Sequence, residues 1–546
     1  MATNSIAVKE GGAPVSERLL KLFMGGALLL FVLWPVGSVV RESFLLDGRF
    51  SLAAWKGLLA GNWRLVANSF AVALCVTAAT VPLAIILALK LLYGARRGRL
   101  ALMAVLVLST ISPPFVGAMS YLMLFGRRGL ITWRLLGLEW DPYGFAGVVL
   151  MECFSMLGVA TLLAAASFRQ VDGALERASQ DLGATPAQTI LKVSLPLALP
   201  GIFEIVMLVM VRSLSDFATP LFVGGRFQVL ASRAYNTLVS VGDFPLACAM
   251  NCLLLLPSLL LLFWQGRGLE KNFSLRLKSS HSLKLGGFSA WLAETCCFAF
   301  ILVQLLVYGL IFWGSVMTTW GVNFAFTTEH LKGIFGFQGA SYARSLVCSL
   351  AAGLGGALAG AVLARLIKRS RPKTGLFLQV AADLPYLVPG TFFGVGYLLV
   401  SSSLPWELPV TFLIAVNCLF RQLSPALRSA QAGQAQINPE LELALRDLGG
   451  SPARVISDLL LPLLRPFMLV AFINGFSASM TSTGPIIFLV TPRAKVAAIE
   501  LFDSINIGDF GAATAMASLL IVTVLAVNLA ALAFTYISEK GAKKTC

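Results

Sequence analysis

The sequence predicts an all-α polytopic membrane protein with about twelve transmembrane helices, arranged as two repeats of six. Of its 546 residues, 57% are hydrophobic and only 12% are charged, and the mean hydropathy is +0.82. A soluble fold has too little interior to hide that much apolar surface, so the bilayer is the expected solvent. The chain also contains many apolar runs of spanning length, and one long polar segment occurs twice.

The repeated segment has 25 residues, and its copies occupy 176–200 and 442–466, an offset of 266. They read ERASQDLGATPAQTILKVSLPLALP and ELALRDLGGSPARVISDLLLPLLRP, and twelve positions are identical. At the same offset, GDFPLACAM at 242–250 matches GDFGAATAM at 508–516 at six of nine positions. Because both blocks keep one offset, duplication of a whole unit is the expected origin.

The apolar runs divide evenly between the two copies. A helix needs about 20 apolar residues to cross a bilayer, which gives six predicted spans in each half. The first half, 1–275, has predicted spans at 20–40, 69–92, 100–125, 145–167, 201–222 and 244–264. The second half, 276–546, has them at 291–316, 342–366, 376–400, 409–429, 467–489 and 511–536. The repeated segments then lie in polar loops, at 170–200 and 436–466, between the fourth and fifth spans.

Basic residues set the predicted orientation. Most of those near span ends fall on one side of the twelve-span arrangement, namely Arg96, Arg97, Arg99, Arg267, Lys271, Arg276, Lys278, Lys284, Arg365, Lys368, Arg369, Arg371, Lys373, Lys540, Lys543 and Lys544. That side is expected to be the cytoplasm, which places both termini and both polar loops there. Arg127, Arg128 and Arg134 fall on the opposite side. The same loops account for the net charge of +16, and no basic face with interleaved aromatic residues predicts nucleic acid binding.

Each polar loop is predicted to form a helix, a glycine turn and a second short helix. Asp181-Leu182-Gly183 and Asp447-Leu448-Gly449 supply the glycine that suits the left-handed end of a helix. Thr185-Pro186 and Ser451-Pro452 then supply an N-cap followed by proline at the first helical position.

The second short helix is expected to end at the Leu-Pro pair, 195–196 or 461–462. Such a rigid knob could fill a groove on a soluble partner, or it could be a well-capped surface loop without one. Two copies with shared spacing favour the partner.

Cofactor chemistry has little support in the sequence. Most of the nine cysteines lie in apolar runs, and the two histidines, His281 and His330, are far apart, so neither a disulfide framework nor a metal site is expected. The chain contains no G-x-x-x-x-G-K-[ST] motif that could hold ATP phosphates. No set of nucleophile, acid and base stands out, and we expect a transport protein without its own enzymatic site.

A pathway through the membrane is suggested by prolines and polar groups inside the spans. Pro114 and Pro389 interrupt the third and ninth spans, where they predict either a broken helix that lines a pathway or an ordinary packed kink. Glu152 and Asp216 are carboxylates at membrane depth, and such ions are often functional. Asp216 could alternatively form an ion pair with Arg212 one turn earlier.

At the polar loops the chain resembles the inner-membrane permeases of ABC importers. Their loop reads E-A-A, three residues, Gly, nine residues, a hydrophobe, one residue, Leu-Pro. Counting nine residues from Gly183 leads to 193–196, Val-Ser-Leu-Pro, and counting from Gly449 leads to 459–462, Leu-Leu-Leu-Pro. The E-A-A part departs from the pattern, because the acid lies one residue earlier, at Glu176 and Glu442.

The resemblance implies a type I ABC importer permease fold in which both halves are fused in one chain of a bacterial inner membrane. It implies two copies of an ATPase subunit, which bind ATP and Mg²⁺, and a separate periplasmic substrate-binding protein. The coupling residues that it implies are Glu176, Ala178, Asp181, Gly183, Pro186 and Pro196 with Glu442, Ala444, Asp447, Gly449, Pro452 and Pro462.

The substrate is the least determined feature. The fused arrangement is most similar to ferric-iron permeases, on 213–221, SLSDFATPL, and on 479–489, SMTSTGPIIFL. The resemblance adds Ser213, Ser479 and Thr481 to the pathway candidates. Permeases for phosphonates, phosphorylated sugars, polyamines or thiamine remain alternatives, and an ion-coupled secondary transporter is the rival class.

Overall fold

The computed structural model describes residues 15–96, 98–113, 115–127, 129–138, 141–268, 283–336, 338–451 and 454–545. Over these residues the chain is mostly helical, with two short antiparallel hairpins. It divides into two compact units, one formed within 1–45, 338–499 and 522–546, here unit 1, and one within 46–337 and 500–521, here unit 2.

The α-helices are numbered in chain order. Those up to residue 268 are α1 Val15–Leu28, α2 Trp34–Glu42, α3 Ala53–Gly61, α4 Trp63–Tyr93, α5 Arg99–Ile111, α6 Val116–Phe125, α7 Phe145–Arg169, α8 Gly173–Asp181, α9 Pro186–Thr189, α10 Leu195–Ser215, α11 Ala218–Val223, α12 Leu230–Asn236 and α13 Phe244–Gly268. The others are α14 Gly287–Gly314, α15 Glu329–Gly336, α16 Gly339–Lys368, α17 Pro372–Leu387, α18 Gly390–Ser403, α19 Val410–Arg421, α20 Leu423–Gln434, α21 Pro439–Asp447, α22 Leu461–Met480, α23 Ala497–Ile507 and α24 Phe510–Thr545.

Short π-helical segments and hairpins complete the described elements. The π-helical segments are Leu29–Leu33, Leu130–Leu135, Ile190–Ser194, Thr237–Val241 and Val455–Leu460. The strands are β1 Leu45–Leu46, β2 Arg49–Phe50, β3 Met317–Thr319 and β4 Asn323–Phe326, with Met317 opposite Phe326. The fold is therefore the predicted all-α class.

The described residues contain eight helices that are long and apolar enough to cross a membrane, or up to eleven if each of three bent pairs is one span. The sixth predicted span, 244–264, lies within α13, Phe244–Gly268. The span predicted at 467–489 is wrong at its end, because α22 stops at Met480 and turns follow. Asp243 and Asp509 accept hydrogen bonds from the amides of Leu246 and Ala512, both at 3.0 Å, and so cap the helices that follow them.

Unit 2 is built around α4, which packs against α7, α10 and α14. Lys90, near the end of α4, is fully buried, and its ammonium group forms an ion pair with Glu294 on α14 and donates to the carbonyl of Ala95 at 3.2 Å. This contact fixes α14 against α4, because a buried ammonium group without partners would be strongly destabilising.

Unit 1 is built around α16, which packs against α19, α20 and α22. Small residues allow close approach: a Cβ on Gly360 would lie 2.7 Å from the backbone of Ala426, and one on Gly475 would lie 3.1 Å from Gly353. The N-terminal helices pack in this unit too, since the hydroxyl of Tyr397 donates to the carbonyl of Phe31 at 2.8 Å. Each unit is therefore made of chain segments from both predicted halves of the sequence.

Candidate functional site

The first polar loop forms a capped helix and a sharp glycine turn. Asp172 is the N-cap residue of α8, and its carboxylate accepts a hydrogen bond from the amide of Ala174 at 3.0 Å. Gly183 then has φ +86°, the left-handed value that favours glycine. The amide of Ala184 donates to the carbonyl of Ser179 at 3.1 Å, which closes the helix end in a Schellman arrangement.

The next helix of this loop begins with reciprocal capping. The Thr185 hydroxyl accepts from the amide of Gln188 at 3.3 Å, and the Gln188 side chain accepts from the amide of Thr185 at 2.9 Å. Pro186 occupies the first helical position, where its missing N–H has no consequence. The local signals in the sequence therefore predicted this turn correctly.

The second polar loop repeats the geometry. Gly449 has φ +79°, and the amide of Gly450 donates to the carbonyl of Leu445 at 2.9 Å. The Ser451 hydroxyl accepts from the amide of Arg454 at 3.3 Å, as an N-cap does. Pro452 lies outside the described residues. A turn of one geometry thus occurs in each unit.

The predicted end of the second short helix is wrong in both loops. The helix continues past Pro196 without a break, so that one helix runs from Pro186 to Ser215. In the other loop the helix likewise continues past Pro462 to Met480. A π-helical segment precedes each proline. The wider turn of a π-helix has room for the proline ring and does not need the N–H that proline lacks, whereas a regular α-helical turn does. The loop is therefore continuous with the helix that crosses the membrane.

The tip of each loop carries an exposed leucine that was not among the predicted site residues. Leu182 is 88% exposed and Leu448 is 85% exposed, each directly before the glycine turn. Their neighbours Asp181 and Asp447 are exposed as well. The signal was present in the sequence, because Asp-Leu-Gly is identical in the two copies, but the leucine was treated only as part of the turn. An apolar side chain so exposed at an equivalent place in both copies is a candidate contact for a partner.

The two glutamates predicted for the loops point inward. Glu176 is fully buried and accepts hydrogen bonds from the hydroxyls of Tyr93 at 2.6 Å and Ser194 at 2.8 Å. Glu442 forms ion pairs with Arg365 at 3.2 Å and with Arg369. The exposed part of each loop therefore consists of other predicted residues, including Ala178 and Pro196 in the first loop and Ala444 and Pro462 in the second.

Two of the three bent helix pairs turn by more than 100°, at the predicted third and ninth spans. The helices Arg99–Ile111 and Val116–Leu135 meet at 101°, and Pro372–Leu387 and Gly390–Ser403 meet at 108°. Pro389 occupies the N-cap position of α18, directly at the second break, whereas Pro114 lies outside the described residues. Breaks this sharp exceed an ordinary proline kink and leave backbone carbonyls that need new donors.

Arg421, which the sequence alone did not single out, supplies such donors at the second break. Its guanidinium group donates to the carbonyls of Pro385 at 3.0 Å and Val388 at 3.1 Å. Charged donors form stronger hydrogen bonds than neutral ones, so Arg421 holds the end of α17 in the broken geometry.

Replacing Arg421 by Met should destabilise unit 1, because two carbonyls near the break would lose a charged donor. We expect a loss of about 3 kcal/mol in the free energy of unfolding, at roughly 1.5 kcal/mol for each hydrogen bond. The melting temperature of the purified protein in detergent measures this loss, with Arg421→Lys expected to be intermediate because an ammonium group lacks the guanidinium fork. A wild-type melting temperature for Arg421→Met would contradict the assignment.

Three of the first-half pathway candidates, Glu152, Ser213 and Asp216, lie close together in unit 2. Glu152 on α7 is fully buried, and the hydroxyl of Ser213 on α10 donates to its Oε2. Oε1 of Glu152 has no hydrogen-bond partner among the described residues. Asp216 follows the end of α10 and accepts from the amides of Ala218 at 3.0 Å and Thr219 at 3.2 Å. The cluster therefore links the buried carboxyl group of Glu152 to the end of α10.

In the second half, the position that corresponds to Glu152 carries no carboxyl group. Ser479 on α22 lines a small cavity together with Cys418 and Ser482, and Cys418 lies 266 positions after Glu152. Thr481 donates its hydroxyl to the carbonyl of Ser477 at 3.1 Å, which is an ordinary role at a helix end. No group of three or more His, Cys, Asp or Glu side chains within the described part of the chain could hold a metal ion.

One family of known proteins matches the chain twice. The family model for the inner membrane component of binding-protein-dependent transport systems matches residues 80–274 and 356–544. Each match contains one polar loop and the helix that continues from it. The duplication seen in the sequence therefore corresponds to two copies of one domain.

Individual relatives cover different shares of the chain. The ferric transport system permease protein FbpB of Actinobacillus pleuropneumoniae is 29% identical over 453 residues, which are 78% of this chain and 64% of that protein. The putative ferric transport system permease protein FbpB 1 of Haemophilus influenzae is 26% identical over 519 residues, 91% of this chain and 82% of that protein. The putative 2-aminoethylphosphonate transport system permease protein PhnV of Salmonella typhimurium is 28% identical over 222 residues, 39% of this chain and 84% of that protein. This chain thus spans less than two thirds of the Actinobacillus protein and most of the Haemophilus one.

Proposed function

The chain belongs to the family of inner membrane components of binding-protein-dependent transport systems, and we propose that it forms the translocation pathway of an ATP-driven importer. It is a multi-pass membrane protein, and its partners are of the kinds that such systems use: an ATPase and a substrate-binding protein. In this proposal one chain supplies both halves of the pathway, and each polar loop docks on one copy of the ATPase.

The observation that carries the proposal is the paired loop geometry. Each loop presents a leucine, Leu182 or Leu448, that is at least 85% exposed, beside a glycine held at positive φ. After the turn comes a helix of spanning length, Pro186–Ser215 in the first loop and Ser457–Met480 in the second. A partner that binds the exposed leucine of a loop can therefore displace a membrane helix as a rigid body, because a continuous helix transmits force along its axis.

The proposed orientation follows from the basic loops and the positive-inside rule. Both termini and both polar loops face the cytoplasm, where ATP is available, and the substrate-binding protein docks on the opposite face. ATP and Mg²⁺ belong to the partner chains, and this chain itself binds no cofactor in the proposal.

Ferric iron is the substrate that we propose, because two relatives that cover 78% and 91% of this chain are named ferric transport system permease proteins, one of them as putative. Ferric iron is a hard cation that prefers oxygen ligands, and the cluster of Glu152, Ser213 and Asp216 offers oxygen atoms alone. A phosphonate is the second candidate, supported by the relative named for 2-aminoethylphosphonate, which matches 39% of the chain.

The composition of the purified complex tests this proposal. Affinity-tagged permease should copurify with its ATPase, and native mass spectrometry should give one permease chain with two ATPase chains. ATP hydrolysis by that complex should rise when the iron-loaded binding protein is added, and it should rise less with 2-aminoethylphosphonate-loaded protein. A permease that captures no ATPase would overturn the proposal, and stimulation by the phosphonate alone would overturn the choice of iron.

A further inference from the structure

We propose that unit 2 carries a binding site for the headgroup of an anionic phospholipid at the cytoplasmic edge of the membrane. The site is a cavity of about 260 Å³ at the ends of α4, α5 and α7, lined by Leu91, Leu92, Arg99, Leu100, Met103 and Arg169. Two arginines beside four apolar side chains suit a ligand that joins a negative phosphate to a hydrocarbon chain. Lipid binding here does not depend on the proposed ATPase docking, and the proposed orientation only decides which leaflet supplies the lipid.

The two arginines of the cavity have no carboxylate partner among the described residues. Nη2 of Arg99 donates to the carbonyls of Leu92 at 3.3 Å and Gly94 at 2.9 Å, which holds the guanidinium group at the end of α4. Nε of Arg99 is buried and has no hydrogen-bond partner in the described part of the chain. Arg169, the last residue of α7, is exposed. A phosphate group supplies both the negative charge and the acceptor oxygens that these guanidinium groups lack.

The apolar side chains of the cavity lie on the membrane side of Arg99. Arg99 is the first residue of α5, and Met103 lies one turn further along on the same face of that helix. Because the predicted third span begins at 100, Met103 lies deeper in the bilayer than Arg99. Met103 is 38% exposed and Leu100 is 85% exposed, so both can contact lipid hydrocarbon. A free phosphate ion leaves this apolar wall in contact with water, which favours a lipid over a water-soluble phosphate.

The second half of the chain lacks a counterpart of one arginine. Arg169 corresponds to Ala435 at the repeat offset of 266. The two positions are equivalent in the fold as well, because Arg169 ends α7 and Ala435 is the C-cap residue of α20, and each precedes the polar loop of its half. We therefore expect one such lipid site in the chain. Arg169→Ala gives the first half the residue that the second half has.

Native mass spectrometry of the purified full chain in detergent measures lipid binding without any partner. One phosphatidylglycerol should bind at least about fivefold more tightly than phosphatidylcholine, whose headgroup has no net charge. Arg169→Ala should weaken phosphatidylglycerol binding by about fivefold, since one basic side chain near a membrane surface contributes about that factor. Arg169→Lys keeps the charge and should keep most of the affinity. The melting temperature without lipid should stay at the wild-type value in Arg169→Ala, because this exposed side chain has no described partner.

Arg177→Ala is the matched control. Arg177 is exposed on α8, close to Arg169 in the chain, but it does not line the cavity. This variant should leave phosphatidylglycerol binding at the wild-type level. Equal losses in Arg169→Ala and Arg177→Ala would indicate a general effect of surface charge and would overturn the site, as would wild-type binding by Arg169→Ala. Equal affinity of the wild-type protein for the two lipids would overturn the recognition of charge.

Soluble phosphates distinguish a lipid from a free phosphate as the ligand. Inorganic phosphate and glycerol 3-phosphate carry the negative group without a hydrocarbon chain, and at millimolar concentration neither should displace phosphatidylglycerol. Displacement by either one would show that the cavity binds a water-soluble phosphate and would overturn the lipid. Met103→Trp fills the apolar part of the cavity and keeps both arginines, so it should weaken phosphatidylglycerol binding several-fold. Unchanged binding in that variant would overturn the place assigned to the hydrocarbon chain.

Discussion

Replacing Leu182 and Leu448 by Asp together should abolish capture of the ATPase. Each leucine projects almost fully into solvent, and burying one in a partner's apolar groove contributes about 2 kcal/mol. An aspartate in that groove loses this contribution and adds the desolvation of a charge, so a single substitution should weaken binding by about 100-fold or more. Because both loops are on one chain, the two contacts reinforce each other, and losing both removes the avidity as well.

The folding of the permease should be unaffected by these changes, since highly exposed side chains contribute little to stability. Leu182→Met with Leu448→Met is the conservative control and should retain capture. Val322, 67% exposed in the turn between β3 and β4, provides a control that lies far from the loops in the chain, and Val322→Asp should leave capture at the wild-type level. Wild-type capture by the double aspartate variant would remove the leucines from the proposed interface.

Replacing Gly183 and Gly449 by Val should uncouple ATP hydrolysis from the membrane helices. Among the described residues, no atom beyond the two chain neighbours lies within 4 Å of a Cβ built on either glycine, so we expect the effect of Val to come from the backbone. Positive φ costs an L-residue roughly 1–2 kcal/mol, and a β-branched residue more, which is enough to redirect the turn. We expect binding-protein-stimulated ATP hydrolysis to fall by at least about tenfold in the double variant.

The order of effects at these glycines separates backbone strain from simple bulk. Asn tolerates the left-handed conformation better than Ala, and Ala better than Val, although Asn is larger than Ala. Stimulated hydrolysis should therefore decline in the order Gly, Asn, Ala, Val. A decline that followed side-chain volume would instead indicate contact with the partner, and no decline at all would count against a coupling role for the turns.

The sequence predicted the turns well because their signals are local. A left-handed glycine, an N-cap hydroxyl and a proline at the first helical position act within a few residues, and Gly183, Thr185 and Pro186 behave as those rules require. The same rules failed further along the loop. Pro196 reads as a helix end, but a preceding π-helical segment absorbs the proline, and that segment has no simple signature in sequence.

Contacts between residues far apart in the chain could not be predicted from the sequence, for a different reason. Whether Glu176 faces a partner or its own chain depends on where Tyr93 lies, 83 positions earlier, and one sequence does not report that distance. The placement of Phe31 against Tyr397 likewise joins positions 366 apart. Arg421 was overlooked because its role appears only once the break between α17 and α18 is seen.

Proteoliposomes that contain the purified complex give the most direct test of the claim that the two polar loops let a separate ATPase subunit drive transport through this chain. Iron-loaded binding protein is placed on one side, ATP on the side of the loops, and no ion gradient is imposed. We predict that radioactive iron accumulates with ATP and stops when a non-hydrolysable analogue replaces it. Accumulation driven by an ion gradient in the absence of nucleotide would contradict the account.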